Sequence, residues 1–245
     1  MERVPTGISG LDELIEGGLP KGRCTLVCGG PGSGKTIFST QFLVEGARKY
    51  DEPGVFVTFD EDPVHIRENM LRFGWNLEDL EKQGKLSLID FSPVIYLSPQ
   101  EFKKTVYGVE MPEFSIESAT EMIKTQVDGL KAERVVVDPI TSLIIQVPEV
   151  SKRRRNIAHL FKALLETGCT CIVTSESRAA LLEREPQVEE YLAQGVILLQ
   201  TIRKGDQLVK AIQIEKMRGV AHDTQPHPYY ITNEGIKVFP KEKVL

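Results

Sequence analysis

Cysteine, methionine and tryptophan are scarce, with four, five and one in 245 residues. The cysteines stand as Cys24…Cys28 and Cys169-x-Cys171. That is neither the paired C-x₂₋₄-C units nor the mixture with histidine that zinc sites use. Both pairs fall in apolar, strand-like runs, so buried free thiols are expected, with a cross-strand disulfide as the alternative. No apolar run approaches the ~18–20 residues of a membrane span. The opening Met1-Glu2-Arg3-Val4-Pro5 has no apolar stretch of the secretory kind. No internal repeat, low-complexity tract or linker rich in Pro, Gly or Ser interrupts the chain. Cations are in deficit, with a net charge of −5, which argues against bulk attraction to nucleic acid. These absences exclude a disordered chain, a collagen, a disulfide scaffold and a membrane-spanning protein. What remains is a cytosolic globular protein with one domain, residues 1–245, able to bury roughly 70–75% of its unfolded surface.

What is present alternates between two periods. Apolar runs at Arg23–Gly29, Gly54–Asp60, Lys85–Asp90, Arg134–Asp138 and Thr170–Ser175 read as buried strands. Between them, Lys35–Lys49, Pro63–Phe73, Ser115–Leu130 and Ser151–Thr167 carry helical spacing. Asp62 caps the second of these helices, with Pro63 in its first turn. The third opens on Ser-x-x-Ser, short of a full capping box. Gly168 stops the fourth. Ser92–Pro112 has no clear period and reads as a long loop. After Gly195 the pattern turns to hairpins, one through Lys204-Gly205-Asp206 and one through Asn233-Glu234-Gly235. The expected fold is α/β: a mostly parallel central sheet with helices on both faces and C-terminal antiparallel hairpins extending one edge.

The strongest motif is Gly29-Gly30-Pro31-Gly32-Ser33-Gly34-Lys35-Thr36, a match to G-x-x-x-x-G-K-[ST] that follows a strand and opens a helix. Glycines bend such a loop into a nest of N–H donors for phosphate oxygens, aided by the helix N-terminus. Lys35 supplies a point charge to the β- and γ-phosphates, and the Thr36 hydroxyl ligates Mg²⁺. Asp138 ends a strand at the sheet edge that holds ligands, and fits the Mg²⁺-associated carboxylate, acting through a water. Asp60 and Glu61 follow another strand, and either could activate an attacking water.

These residues together resemble the KaiC-like branch of the RecA-type P-loop ATPases. Thr6-Gly7-Ile8-Ser9-Gly10-Leu11-Asp12 with Gly17-Gly18-Leu19-Pro20-x-Gly22 is similar to that family's opening signature. So are Phe56-Val57-Thr58-Phe59-Asp60-Glu61-Asp62-Pro63 with Phe73-Gly74-Trp75, and Lys216-Met217-Arg218-Gly219-x-x-His222 with Ile231-Thr232-x-x-Gly235-Ile236. The resemblance spans nearly the whole chain. It implies a RecA-like fold and a Mg-ATP-binding enzyme, with ATP or ADP lodged between the subunits of a homo-oligomeric ring, usually of six. It implies that Gly30, Pro31, Gly32, Ser33, Gly34, Lys35 and Thr36 bind ATP, and that Thr36 and Asp138 place the metal. It implies that Lys216, Arg218 and His222 approach the γ-phosphate held by the neighbouring subunit. The family carries two adjacent catalytic glutamates where this chain has Asp60-Glu61, so the first position departs from the pattern. Where a self-phosphorylating lobe of the family carries a Ser-Thr pair, this chain has Glu190-Tyr191.

Three other activities are weighed against slow hydrolysis. The run Ser151-Lys152-Arg153-Arg154-Arg155 would suit a DNA-binding motor or an acidic partner subunit, although cations at a helix N-terminus oppose the dipole. The shortened Asp60 would suit a nucleotide-dependent switch that docks on another protein, with Ser92–Pro112 as the docking surface. An autokinase is the third.

Overall fold

The computed structural model describes residues 1–93, 115–145, 147, 149–176 and 186–244. Of the aperiodic stretch Ser92–Pro112, residues 94–112 lie outside the described residues. A nine-stranded sheet organises the rest, in the order β11-β10-β9-β8-β3-β7-β6-β4-β5. Its parallel part is β3 (Cys24–Gly29), β4 (Gly54–Thr58), β5 (Leu86–Asp90), β6 (Arg134–Asp138), β7 (Thr170–Glu176) and β8 (Gly195–Lys204). Antiparallel pairing then adds β9 (Gln207–Met217), β10 (His227–Thr232) and β11 (Gly235–Val238) at one edge. A separate two-stranded ribbon joins β1 (Arg3–Val4) to β2 (Leu19–Pro20). The mixed sheet and the terminal hairpins agree with the pattern of the sequence.

Every residue of β3, β4 and β6 is buried, as a sheet covered on both faces requires. Successive side chains go to opposite cores. Val136 packs with Phe38 and Phe42 of α2 (Lys35–Glu45). Val135 and Val137 pack with Ile123 of α5 (Ile116–Leu130) and Leu160 of α7 (Val150–Glu166). Short helices complete the described residues: α1 (Leu11–Leu14), α3 (Pro63–Leu71), α4 (Leu77–Lys82), α6 (Thr141–Ile145) and α8 (Val188–Leu192). No helix among the described residues is long and apolar enough to cross a membrane.

Several boundaries differ from the sequence reading, each for a local reason. The helix expected over Lys35–Lys49 is α-helical only to Glu45 and widens into a π-helical turn over Gly46–Tyr50. Arg134 explains the change: wholly buried, it donates 2.7 Å to the Phe42 carbonyl and lies over the Phe42 and Tyr50 rings. A Cβ on Gly46 would stand 2.4 Å from its Nε. The strand expected to Asp60 ends at Thr58, because the Thr58 hydroxyl turns the chain by accepting from the Glu61 N–H at 3.1 Å. Ser115 and Ser118 do form a reciprocal capping box, the Ser118 hydroxyl accepting from the Ser115 N–H at 3.1 Å where a Glu or Gln is usual. Asp62 caps α3 as expected, accepting from Val64 N at 2.7 Å, with Pro63 at the first turn.

All four cysteines are buried thiols. Cys24 and Cys171 are register partners on β3 and β7, and no disulfide joins them.

Candidate functional site

Three parallel strands end together to make the site. β3 lies between β7 and β8, and β6 lies on the far side of β7. The loop after β3 therefore emerges beside the ends of β7 and β6, at the carboxyl edge where α/β sheets hold ligands. Gly32 and Gly34 take positive φ, +69° and +91°, which opens the loop before α2. A Cβ on Gly34 would press on Ile231 Cδ1 at 3.0 Å.

Side chains brace the loop from several directions. Lys35 Nζ donates to the carbonyls of Gly29 at 2.9 Å and Gly30 at 3.3 Å. The Tyr229 hydroxyl, buried on β10, donates to the Ser33 carbonyl at 2.6 Å, and burial pushes its pKa well up. Lys210 Nζ on β9 donates to the Gly32 carbonyl at 2.6 Å. The sequence reading missed Lys210 and Tyr229. A signal for Lys210 existed in strand length: β8 pairs with β3 only as far as Leu199 yet runs on to Lys204, so the hairpin overhangs the loop.

Thr36, Asp138 and Thr174 converge beneath the loop. Thr36 Oγ1 donates to Asp138 Oδ2 at 2.7 Å, and Thr174 Oγ1 donates to Asp138 Oδ1. Asp138 is 6% exposed. Burial pushes its carboxyl up, while the two hydroxyls and the Lys35 charge pull it down. Glu61 stands half-buried and accepts from Asn69 Nδ2 at 2.8 Å. Burial, the Asp138 charge and the Asp60 charge raise its pKa against that bond. Asp60 is exposed. The structure thus brings together the loop, Thr36, Asp138 and the acidic turn.

It does not bring Lys216, Arg218 or His222 there. The amide of Arg218 bonds to the Gln194 carbonyl at 2.9 Å, and that of Gln194 to the Cys24 carbonyl at 3.0 Å. These groups therefore lie at the beginning of β3, and the loop lies past its end at Gly29. At roughly 3.3 Å per residue Arg218 lies about 17 Å from the loop, and Lys216, opposite Val196 and so level with Leu26, about 10 Å, each farther than its side chain spans. Lys216 Nζ donates to the Glu190 carbonyl at 2.7 Å and Arg218 Nη2 to the Tyr191 carbonyl at 3.4 Å, so both cations gather on α8. Burial and the nearby Arg218 lower the Lys216 pKa. His222 Nδ1 lies 3.0 Å from the Val220 carbonyl. The basic run sits at the start of α7, where Arg153 Nε donates to the Val147 carbonyl.

The donor set suits a nucleotide with Mg²⁺. The Ser33 hydroxyl is buried against the Gly29 backbone without a hydrogen-bond partner among the described residues. Thr36 and Asp138 offer hard oxygens, and no group of three or more His, Cys, Asp or Glu gathers among the described residues. One carboxylate, one hydroxyl and substrate phosphates are how Mg²⁺ is commonly held.

Known proteins resemble the whole chain. The profile of the KaiC ATPase family matches residues 4–243. The UPF0273 protein MJ1359 of Methanocaldococcus jannaschii is 38% identical over 245 residues, covering 100% of this chain and 99% of its own length. The circadian clock oscillator protein KaiC of Thermosynechococcus vestitus is 38% identical over 98% of this chain, which spans only 44% of that protein's length. Among solved structures, the KaiC-like protein PH0186 of Pyrococcus horikoshii superposes with a TM-score of 0.83 at 37% identity, covering 98% of this chain and 99% of its own. With a RecA-type sheet, a phosphate-binding loop and a full-length profile match in agreement, the chain belongs to the KaiC family of ATPases.

Proposed function

We propose that the chain binds ATP with Mg²⁺ at the loop after β3 and hydrolyses it slowly in a homo-oligomeric ring, with each ATP at a subunit interface. The supporting observation is that Lys216 and Arg218 sit at the strand ends opposite the chain's own loop. Cations so placed can serve a phosphate only on another molecule. The family resemblance favours a ring of six.

In this reading the amides of Gly30–Thr36 and the Lys35 ammonium hold the β- and γ-phosphates. Thr36 and Asp138 would hold the metal, Asp138 by way of a water. Bound Mg²⁺ would neutralise charge on the phosphate oxygens. Glu61 serves as the base for the attacking water, since partial burial raises its pKa toward the working range. Asp60, exposed and one methylene shorter than the family's glutamate, takes the lesser part. Lys216 and Arg218 stabilise charge on the neighbour's γ-phosphate, with His222 assisting, which makes assembly and activity one event.

Light scattering with and without Mg-ATP, with phosphate release measured on the same sample, tests this. The expected result is a multiple of the 27.4 kDa chain mass and a rate per chain that collapses on dilution below the assembly concentration. A monomer hydrolysing at an undiminished rate overturns the proposal. A nucleotide switch with little turnover is the second reading, favoured by Asp60. Tight nucleotide binding with no phosphate release above drift would select it.

A further inference from the structure

Buried carboxylates are costly unless bonded, and α8 carries two adjacent ones that the chemistry above does not use. Glu189 is 3% exposed and Glu190 6%. Glu190 has a local task, since its Oε1 accepts from the Gln187 N–H at 2.8 Å and closes the cap of α8. Glu189 reaches out of the helix. Its Oε1 accepts from Ser175 Oγ at 2.8 Å, and Ser175 is itself 1% exposed. Ser175 Oγ also lies 3.4 Å from Thr141 Oγ1.

Five residues make too short a helix to hold its own place. Its position depends on such ties to the sheet. That position matters because the Glu190 and Tyr191 carbonyls hold Lys216 and Arg218. Movement of α8 by an ångström would move the acceptors that aim both cations.

We propose that Glu189 is a positioning residue for hydrolysis at the neighbouring subunit's site: its bond to Ser175 fixes α8, and α8 orients Lys216 and Arg218. This rests on the reading that those cations act on the neighbour's ATP. Glu189 touches no phosphate, and its effect falls on the site its subunit completes rather than on the one its subunit binds.

Mixed rings test this. One subunit carries Lys35→Ala, which disables its cradle and leaves its cations. The other carries Arg218→Ala, which keeps the cradle and weakens the cations. Each alone is inactive, and mixing restores turnover where the intact cradle meets the intact cations. Glu189→Ala placed on the cation-giving subunit lowers the restored rate about 10- to 100-fold, the scale of a small misplacement. The same change on the cradle-giving subunit leaves the rate unaltered. Glu189→Gln, which keeps an acceptor for Ser175, retains most of the rate. Ser175→Ala removes the same bond from the other side and repeats the asymmetry should Glu189→Ala not fold. Equal loss from both placements, or loss from neither, overturns the proposal while the cation reading stands. Failure of the starting pair to restore any turnover overturns the cation reading, and the role of Glu189 falls with it.

Discussion

Asn69, about two turns into α3, donates a 2.8 Å hydrogen bond to Glu61 Oε1 in the loop before it. That bond favours the charged carboxylate, while burial, the largest effect, disfavours it and wins. Glu61 therefore gains its charge above the ordinary value of 4.5. As a base it must be deprotonated, so turnover should rise with pH through that raised value. Asn69→Leu removes the opposing bond and should move the rise to still higher pH, leaving nucleotide affinity unchanged. The sign for folding follows from the same shift. A carboxyl with a raised folded pKa lends stability below the unfolded value, lost as pH climbs through the folded one. A pH profile of phosphate release on both proteins checks the first expectation, and melting temperature against pH checks the second.

Lys35 and Arg218 should fail in different ways. Lys35→Ala leaves the cradle without its point charge, and nucleotide binding should be lost, as read by titration with a fluorescent ATP analogue. Arg218→Ala should bind as well as the parent protein yet lose about 10³- to 10⁵-fold in turnover, the range for a cation supplied from a neighbouring molecule. An Arg218→Ala protein with undiminished turnover would remove the claim.

How much of this was legible in the sequence depends on how local each feature is. The phosphate loop was, because its glycines and lysine act within eight consecutive residues. So were β3, β4, β6 and β7, whose apolar runs end in Gly, Thr, Asp and Glu at the ligand edge. The π-turn after Glu45 was not, since its cause is Arg134 on another strand. Lys210 and Tyr229 brace the loop across sequence separations of 178 and 196 residues; the length of the Lys210 hairpin is the one local signal, and nothing near Tyr229 points there. Glu189 gives no periodic signal because its partner Ser175 lies on the sheet, fourteen residues away. Lys216 and Arg218 came only from the resemblance. The fold adds that they lie toward the opposite end of the strands from the loop.

Arg134 makes the core of α2 sensitive to charge. It is wholly buried, its Nε donates to Glu52 Oε2 at 2.6 Å, and burial lowers its pKa while Glu52 resists. Removing one partner of a buried pair leaves an uncompensated charge, worth about 3–5 kcal/mol. Glu52→Gln should therefore destabilise the fold by roughly that order, less whatever solvent reaches the partly exposed carboxylate. Gly46→Ala should also destabilise it, because the added methyl meets the Arg134 side chain. Urea denaturation of both variants measures this, and wild-type midpoints would refute it.

The thiols should be inert until the fold opens. Cys24, Cys28, Cys169 and Cys171 are all buried. Burial pushes the Cys169 thiol up, and its neighbour Cys24 together with burial pushes the Cys171 thiol well up. Only the thiolate reacts readily, so both exposure and charge are withheld. Native protein treated with iodoacetamide at neutral pH should gain almost no label, and denatured protein should gain four per chain, as read by intact mass. Cys24 and Cys171 face one another across β3 and β7, within the separation a disulfide can span. Were they joined in solution, the denatured and unreduced chain would accept only two labels. Full labelling without reductant therefore separates four free thiols from a cross-strand bond in one measurement.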